Sequence, residues 1–304
     1  MAPEVEYHPG PDYFDRVCLS RGPHSLRFTL AGLDLKLSGL STSDRDLIRS
    51  RYGCFIRDEA ASGAGEIEIV EAEVPGFLKP RGKAEEPEYY RLEQTWSDER
   101  LVCYSYEFAG WFDPLRRCGK LAIARIDEGP LHRAFENFLR VVAAHWFLRR
   151  GSLLIHASGV VRGGAAYLFF GPSGAGKTTV TLLSEGDLVL GDDLILLQPD
   201  GERFEACSVP FRGVYREPPA TDRAFPLAAA YRLIQDRRDF VEEIPASRAT
   251  AELMASLPFV MEGEGGGRAV EIAARLARHA PVHRLHFRKS AEFWSVIRPE
   301  GDKS

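Results

Sequence analysis

The chain has 304 residues, of which 44% are hydrophobic and 27% are charged, and its formal net charge is −5. This composition indicates a globular protein of one or two domains and excludes a disordered chain. The negative charge argues against general binding to nucleic acid or to an anionic membrane, because such proteins usually carry a basic surplus.

Targeting and membrane signals are missing from the sequence. No run approaches the roughly 18 apolar residues that are needed to cross a bilayer, and the first ten residues lack the basic start and apolar run of a signal peptide. Five cysteines are scattered without a C-x-x-C pair, namely Cys18, Cys54, Cys103, Cys118 and Cys207. This pattern is typical of reduced thiols and argues against zinc binding. We therefore expect a soluble, cytoplasmic protein.

The first 130 residues are predicted to be rich in β-structure. Runs suited to strands occur at 25–30, 33–37, 66–70, 89–95, 101–108 and 120–126. A short helix is predicted over 41–52 with Ser43 as its N-cap. The stretch 74–87 contains three prolines and two glycines and is predicted to be a loop.

A longer helix is predicted to begin near Leu131. Its apolar residues recur at intervals of three and four, namely Leu131, Phe135, Phe138, Leu139, Val142 and Trp146. Arg149 and Arg150 followed by Gly151 are a typical helix end. We place the boundary between the β-rich region (1–130) and a second domain (131–304) at the start of this helix.

The second domain is predicted to be an α/β core. Continuous apolar runs at 153–161 and 165–170 indicate strands that are buried on both faces. Further strands are predicted at 188–190, 194–197, 229–234, 282–287 and 292–298, and helices up to about 184 and at 247–257 and 269–278. The glycine-rich stretch 263–267 is predicted to be a mobile loop. Strands interleaved with helices favour the α/β class.

A phosphate-binding loop follows the strand at 165–170. Gly171-Pro-Ser173-Gly174-Ala175-Gly176-Lys177-Thr178 fits G-x-x-x-x-G-K-[ST] without a mismatch, which chance would produce in about one such sequence in two hundred. Glycines allow backbone N–H groups to turn towards phosphate oxygens. Lys177 can reach the β- and γ-phosphates, and the Thr178 hydroxyl can ligate Mg²⁺. The alternative is a glycine-rich turn that holds no ligand.

The use of lysine supports a functional Lys177. The chain contains 32 arginines but only seven lysines, and Lys177 is the only lysine between Lys120 and Lys289. A chain that otherwise uses arginine is expected to place lysine where a slender point charge is needed. This pattern favours binding of a nucleoside triphosphate.

An aspartate pair and a histidine complete the candidate site. If residues 188–190 form a strand beside the loop, its end carries Asp192 and Asp193 towards the γ-phosphate. One carboxylate could then hold Mg²⁺ while the other accepts the proton of the acceptor. A solvated turn is the alternative, because Gly-Asp-Asp is good turn chemistry. His156 lies in the preceding apolar run and is either a core residue or part of the site.

These three elements together resemble the catalytic domain of HPr kinase/phosphorylase and its relatives. The matching segments are 156–161 (HASGVV), 171–179 (GPSGAGKTT) and 191–193 (GDD), within about residues 150–215. The relatives include HPr-kinase-like kinases found beside peptide-modifying enzymes and, more distantly, ATP-dependent phosphoenolpyruvate carboxykinase.

The resemblance implies a role for each matching residue. Lys177, Thr178 and Thr179 with the rest of the loop would serve ATP and Mg²⁺. Asp192 would activate a serine hydroxyl, Asp193 would support the metal, and His156 would stabilise the phosphoryl site. The order of roles within the aspartate pair stays open, because a register error of one residue would exchange them.

The sequence also departs from the bifunctional enzymes. The acidic, glycine-rich signature segment after the aspartates is missing, and the corresponding stretch offers Arg212 and Arg216 as phosphate or substrate contacts. We therefore do not carry over HPr as the substrate, phosphorylase activity or a hexameric assembly, and a homo-oligomer stays open.

The sequence leads to one function and two alternatives. The expected function is an ATP- and Mg²⁺-dependent kinase that acts on a serine-type hydroxyl of a small protein or peptide. The alternatives are a kinase for a small-molecule alcohol and a nucleotide-sensing module without catalysis.

Overall fold

The computed structural model describes residues 11–17, 19–57, 63–72, 91–124, 131–211, 213, 221–259 and 264–297. The chain is a mixed α/β protein with two large mixed sheets. It separates into two compact units, Met1–Val142 and Ala143–Ser304. Among the described residues, no helix is both long enough and apolar enough to span a membrane. The predicted loop at 74–87 lies outside the described residues.

The first unit is built on a nine-stranded sheet. Its strands are β1 (Leu19–Ser20), β2 (His24–Leu30), β3 (Leu33–Leu40), β4 (Ile56–Arg57), β5 (Gly65–Ala72), β6 (Glu93–Ser97), β7 (Arg100–Tyr104), β8 (Phe108–Asp113) and β9 (Cys118–Ala124). The order is β4-β2-β3-β5-β9-β8-β7-β6, and β1 pairs with β5. The central strand β5 pairs in parallel with β3 on one side and with β9 on the other. The helices are α1 (Pro11–Arg16) and α2 (Thr42–Tyr52), and a 3-10 turn covers Gly53–Phe55.

Two details of the first unit differ from the prediction. The N-cap of α2 is Ser41 and not Ser43, because Ser41 Oγ accepts the Asp44 N–H at 3.1 Å while Asp44 accepts the Ser41 N–H at 3.1 Å. This reciprocal capping box satisfies two N–H groups at the start of the helix. The single strand predicted at 101–108 is instead two strands, β7 and β8, joined by a turn in which the Ser105 N–H donates to Phe108 O at 2.9 Å.

The predicted domain boundary lies before the helix α3 (Leu131–Leu148), whereas the two units divide within this helix. The first turns of α3 contribute to the core of the first unit. The Phe135 ring packs edge-to-face on Phe28 and Tyr52, and Glu136 accepts from Arg51 at 2.7 Å. These contacts explain why residues up to Val142 belong to the first unit.

The second unit contains an eight-stranded sheet and three further helices. Its strands are β10 (Leu153–Arg162), β11 (Ala165–Phe170), β12 (Leu188–Gly191), β13 (Leu194–Asp200), β14 (Arg203–Cys207), β15 (Ala224–Gln235), β16 (Phe240–Glu243) and β17 (Val282–Phe287). The helices are α4 (Lys177–Leu183), α5 (Ala246–Met254) and α6 (Glu264–His279), followed by a 3-10 turn at Ala291–Ser295.

Strand pairing in the second unit closes a ring. The path runs β11-β10-β13-β14-β15, and β15 also pairs in parallel with β11. The long strand β15 continues into parallel pairing with β17. The core of the second unit is aromatic and aliphatic, and its fully buried residues include Phe169, Val180, Leu285, Phe287 and Phe293. Because α4 supplies Val180 to this core, the helix that follows the phosphate loop is fixed on the sheet.

Two predictions for the second unit are wrong. Residues 264–267 form the first turn of α6 rather than a loop, and Arg268 anchors this turn by donating to Leu148 O and Arg149 O at 2.8 Å each. The strand predicted at 292–298 is a 3-10 turn at Ala291–Ser295, because the Phe293 side chain must reach the core.

The described cysteines Cys54, Cys103, Cys118 and Cys207 are free thiols.

Candidate phosphate-binding site

The phosphate loop lies at the carboxyl end of β11. This strand has β10 antiparallel on one side and β15 parallel on the other. The strands that carry His156 and the loop are adjacent, since Ala157 of β10 pairs with Phe170 of β11. Ligands of open α/β sheets usually bind outside the carboxyl ends of parallel strands.

The backbone of the loop depends on its glycines. Gly171, Gly174 and Gly176 have φ angles of 149°, 78° and 115°, a region that side chains with a Cβ rarely adopt. At Gly176 a Cβ would also lie 2.6 Å from Phe287 Cζ. The loop closes through the Ala175 N–H, which donates to Pro172 O at 3.1 Å. The first helical turn of α4 begins at Gly176 without a side-chain cap.

Lys177 points into the loop. Its Nζ donates to Gly171 O at 2.8 Å and to Pro172 O at 3.2 Å, and only 8% of the residue is exposed. Burial lowers the pKa of Lys177 below its usual value, while the charges of Asp193 and Asp192 raise it. The ammonium group of Lys177 is held by loop carbonyls and is therefore positioned to contact the oxygens of a phosphate bound in the loop.

Asp192 is the carboxylate beside Thr178. The Thr178 hydroxyl donates to Asp192 Oδ2 at 3.3 Å, and the Gly213 N–H donates to Asp192 Oδ1 at 3.2 Å. Asp192 is only 5% exposed. A buried carboxylate is costly unless donors or a cation accompany it. A threonine hydroxyl next to an aspartate is the oxygen pair that holds Mg²⁺ in phosphate-loop enzymes.

Asp193 lies next to His156 instead. Asp193 Oδ1 is 3.4 Å from His156 Nε2, and their side chains are 19% and 44% exposed. The Ala157 N–H also donates to Asp193 O at 3.1 Å. The Asp193 carboxylate and the His156 imidazole are therefore more accessible to an acceptor than the Asp192 carboxylate.

The two aspartates continue a strand rather than forming a hairpin turn. Gly191 pairs with Gly159, and Leu194 pairs with His156, so two residues separate the pairs on each chain segment. The strands β12 and β13 thus lie end to end along β10. The strand β12 pairs with β10, which separates it from β11, and its end brings Asp192 to Thr178 of the loop. The carboxylates reach the loop across β10.

Two contacts of the site were not predicted. Gln235 Nε2 donates to Gly174 O at 2.7 Å from the end of β15, and the Gly213 N–H holds Asp192. The position of Gln235 at the carboxyl end of a strand parallel to β11 is the signal that could have identified it. Ser173 is exposed and Thr179 is half-buried. Arg212 and Arg216 lie outside the described residues.

The oxygen donors of the site suit Mg²⁺ better than zinc. Within the described ranges, no group of three or more His, Cys, Asp or Glu side chains is arranged to hold a metal. Mg²⁺ does not require such a cage, because it keeps several waters and takes one or two carboxylates together with phosphate oxygens. The Thr178 hydroxyl and the Asp192 carboxylate meet this requirement.

Comparison with known proteins does not assign the chain to a family. No protein-family model matches it, and no curated protein matches it.

Proposed function

We propose that the chain is an ATP- and Mg²⁺-dependent kinase that transfers the γ-phosphoryl group to a serine-type hydroxyl of a small protein or peptide. The second unit would then be an HPr-kinase-like phosphate-loop core. The observation that carries this proposal is the meeting of three segments at one point, namely the Lys177–Thr178 loop, the Asp192–Asp193 pair and His156.

In this mechanism the loop would bind ATP. Backbone N–H groups of the loop and the Lys177 ammonium would bind the β- and γ-phosphates. Thr178 Oγ1 and Asp192 would hold Mg²⁺. The bound Mg²⁺-ATP supplies an electrophilic phosphoryl group whose negative charge the metal neutralises.

The acceptor side rests on Asp193 and His156. The acceptor oxygen forms a bond to the γ-phosphorus while the bond from that phosphorus to the bridging oxygen breaks. Asp193 takes the acceptor proton, and His156 at 3.4 Å orients this carboxylate or shares the proton. This assignment exchanges the roles that the resemblance implies for Asp192 and Asp193. Its basis is that Thr178 contacts Asp192, while the more exposed carboxylate is that of Asp193.

The His156 side chain is half-buried, with 44% of it exposed, and this opening favours an acceptor that approaches from solvent, as a protein or peptide would. This is the reason to prefer a macromolecular acceptor over a small alcohol enclosed in a cavity.

Transfer of label tests the proposal directly. The purified chain is incubated with γ-labelled ATP, Mg²⁺ and candidate peptides encoded near its gene, with the Lys177→Ala variant as control. We expect acid-stable label on a serine of one peptide with the native chain and none with the variant. Binding of ATP without transfer to any peptide or alcohol, and without hydrolysis, would instead support the nucleotide-sensing module.

A further inference from the structure

A pocket of about 560 Å³ lies in the second unit away from the phosphate loop. It is bordered by the end of β10 at Arg162 and by the beginning of β11 at Ala165. The phosphate loop follows the other end of β11, which is six residues or ~20 Å away. The pocket is therefore separate from the proposed catalytic site, and its size is that of a small-molecule site.

The pocket has a fixed aromatic wall. The Trp294 ring lies edge-to-face against Tyr167 and Phe169, with ring centres 5.4 Å and 5.6 Å away. Its Nε1 donates to Ser184 Oγ at 3.1 Å, at the end of α4. These contacts hold the indole in one orientation, so an apolar body could pack against its pocket-facing side with little loss of side-chain freedom.

The pocket is also lined by cationic and hydrogen-bonding groups. Arg162, Arg203 and His279 contribute to its lining, and no carboxylate of the described residues does. The Arg162 guanidinium stacks 4.0 Å above the Trp294 ring and is bound to Asp187 at 2.7 Å. Arg203 is exposed and forms no ion pair with any residue that the structure describes. Its guanidinium is free to bind a carboxylate, sulfonate or phosphate.

We infer that this pocket binds a small organic anion with a planar apolar body. The apolar body packs against Trp294 and Tyr167, and the anionic group is bound by Arg203. The inference does not depend on the proposed phosphotransfer, because none of these residues belongs to the phosphate loop.

Two probes that differ in one charged group test the inference. The probe 8-anilinonaphthalene-1-sulfonate has a flat apolar body and an anionic group, and N-phenyl-1-naphthylamine has the same body without the charge. We expect one sulfonate probe to bind per chain, at least about tenfold more tightly than the neutral one, since a charge-assisted hydrogen bond contributes on this scale. Arg203→Gln should weaken the sulfonate probe by about tenfold and leave the neutral probe within twofold, whereas Arg203→Lys should retain most of the affinity.

A matched control is available in the first unit. A second pocket of about 600 Å³ there is lined by Trp111, Arg100 and Arg116, together with Asp98 and Glu99. Arg116→Gln removes a comparable arginine and should leave binding unchanged. Energy transfer from tryptophan to the bound probe should fall in Trp294→Phe and persist in Trp111→Phe, with circular dichroism confirming that each variant is folded.

Three results would overturn the inference. Equal affinity for the two probes would remove the anion requirement. Loss of binding in Arg116→Gln but not in Arg203→Gln would place the probe in the first unit. Displacement by Mg²⁺-ATP together with loss of binding in Lys177→Ala would place it in the phosphate loop.

Discussion

Separate substitution of the two adjacent aspartates would distinguish the proposed metal ligand, Asp192, from the proposed base, Asp193. Asn has the size of Asp and can accept the Gly213 N–H at position 192, so Asp192→Asn should fold. The variant loses the negative charge of the carboxylate whose Oδ2 lies 3.3 Å from Thr178 Oγ1. Removal of a group that orients or ligates a metal typically costs 10- to 100-fold in metal affinity. We therefore expect Asp192→Asn to raise the half-saturating Mg²⁺ concentration at least about tenfold.

Asp193→Asn should affect a different quantity. An amide beside His156 cannot take up the proton of an acceptor, and loss of a positioned base costs about a hundredfold or more. A hundredfold loss corresponds to about 2.7 kcal/mol of transition-state stabilisation. This loss should persist at saturating Mg²⁺ and ATP, because Asp193 is not the carboxylate that contacts Thr178 in the proposed assignment.

The assay is a Mg²⁺ titration of single-turnover transfer from γ-labelled ATP, or of basal hydrolysis if the acceptor is not identified. Asp200→Asn, at the exposed end of β13, serves as the control and should behave as the native chain. If saturating Mg²⁺ restores Asp193→Asn but not Asp192→Asn, the roles are those implied by the family resemblance. Native rates for both variants at every Mg²⁺ concentration would refute the kinase proposal.

Three further predictions concern the loop and the core of the second unit. Lys177→Ala should lose measurable ATP binding in calorimetric titration while keeping its circular dichroism, and unchanged affinity would contradict the role of Lys177. Gly176→Ala should weaken ATP binding and lower the melting temperature more than Gly174→Ala. Both substitutions incur ~1–2 kcal/mol of backbone strain, but only the new methyl group at position 176 also contacts Phe287, which adds ~1–3 kcal/mol. Equal effects of the two substitutions would refute the contact with Phe287. Burial lowers the pKa of His145 to about 4, so the unfolded chain binds more protons between about pH 4 and 6.5, and about 3 kcal/mol of stability is lost as pH falls through this window. His145→Gln should remove this part of the pH dependence of urea unfolding.

Buried strands were predicted well from the sequence. The predicted ranges 165–170 and 282–287 coincide with β11 and β17. The strand β11 is a continuous apolar run between Gly164 and Gly171, whereas β17 follows Pro281 and has polar residues between its apolar ones. Such strands carry their own boundary signals in the adjacent glycines and prolines. The general division into a β-rich front and an α/β second part followed from the same patterns.

The errors occurred where tertiary contacts decide the local structure. Glycines at 265–267 disfavour a helix by about 1 kcal/mol each, yet α6 includes them because Arg268 is anchored on two carbonyls and Ala269 is fully buried. The segment 292–298 is predicted to be a strand, but Phe293 and Trp294 both pack against the aromatic core. Neither contact can be inferred from spacing along the chain.

The two halves of the candidate site differ in how far the sequence encodes them. The phosphate half is local, because three glycines with positive φ and the lysine that follows them lie within seven residues. Its geometry can therefore be inferred from a motif. The acceptor half is assembled from distant segments, since Asp193 is placed by pairing with β10, and Asp192 is held by the Gly213 N–H, 21 residues further along the chain. The order of the two aspartates depends on how the backbone turns between two collinear strands. For this reason a kinase can be proposed from the sequence, whereas the identity of its base requires the structure and the paired substitutions.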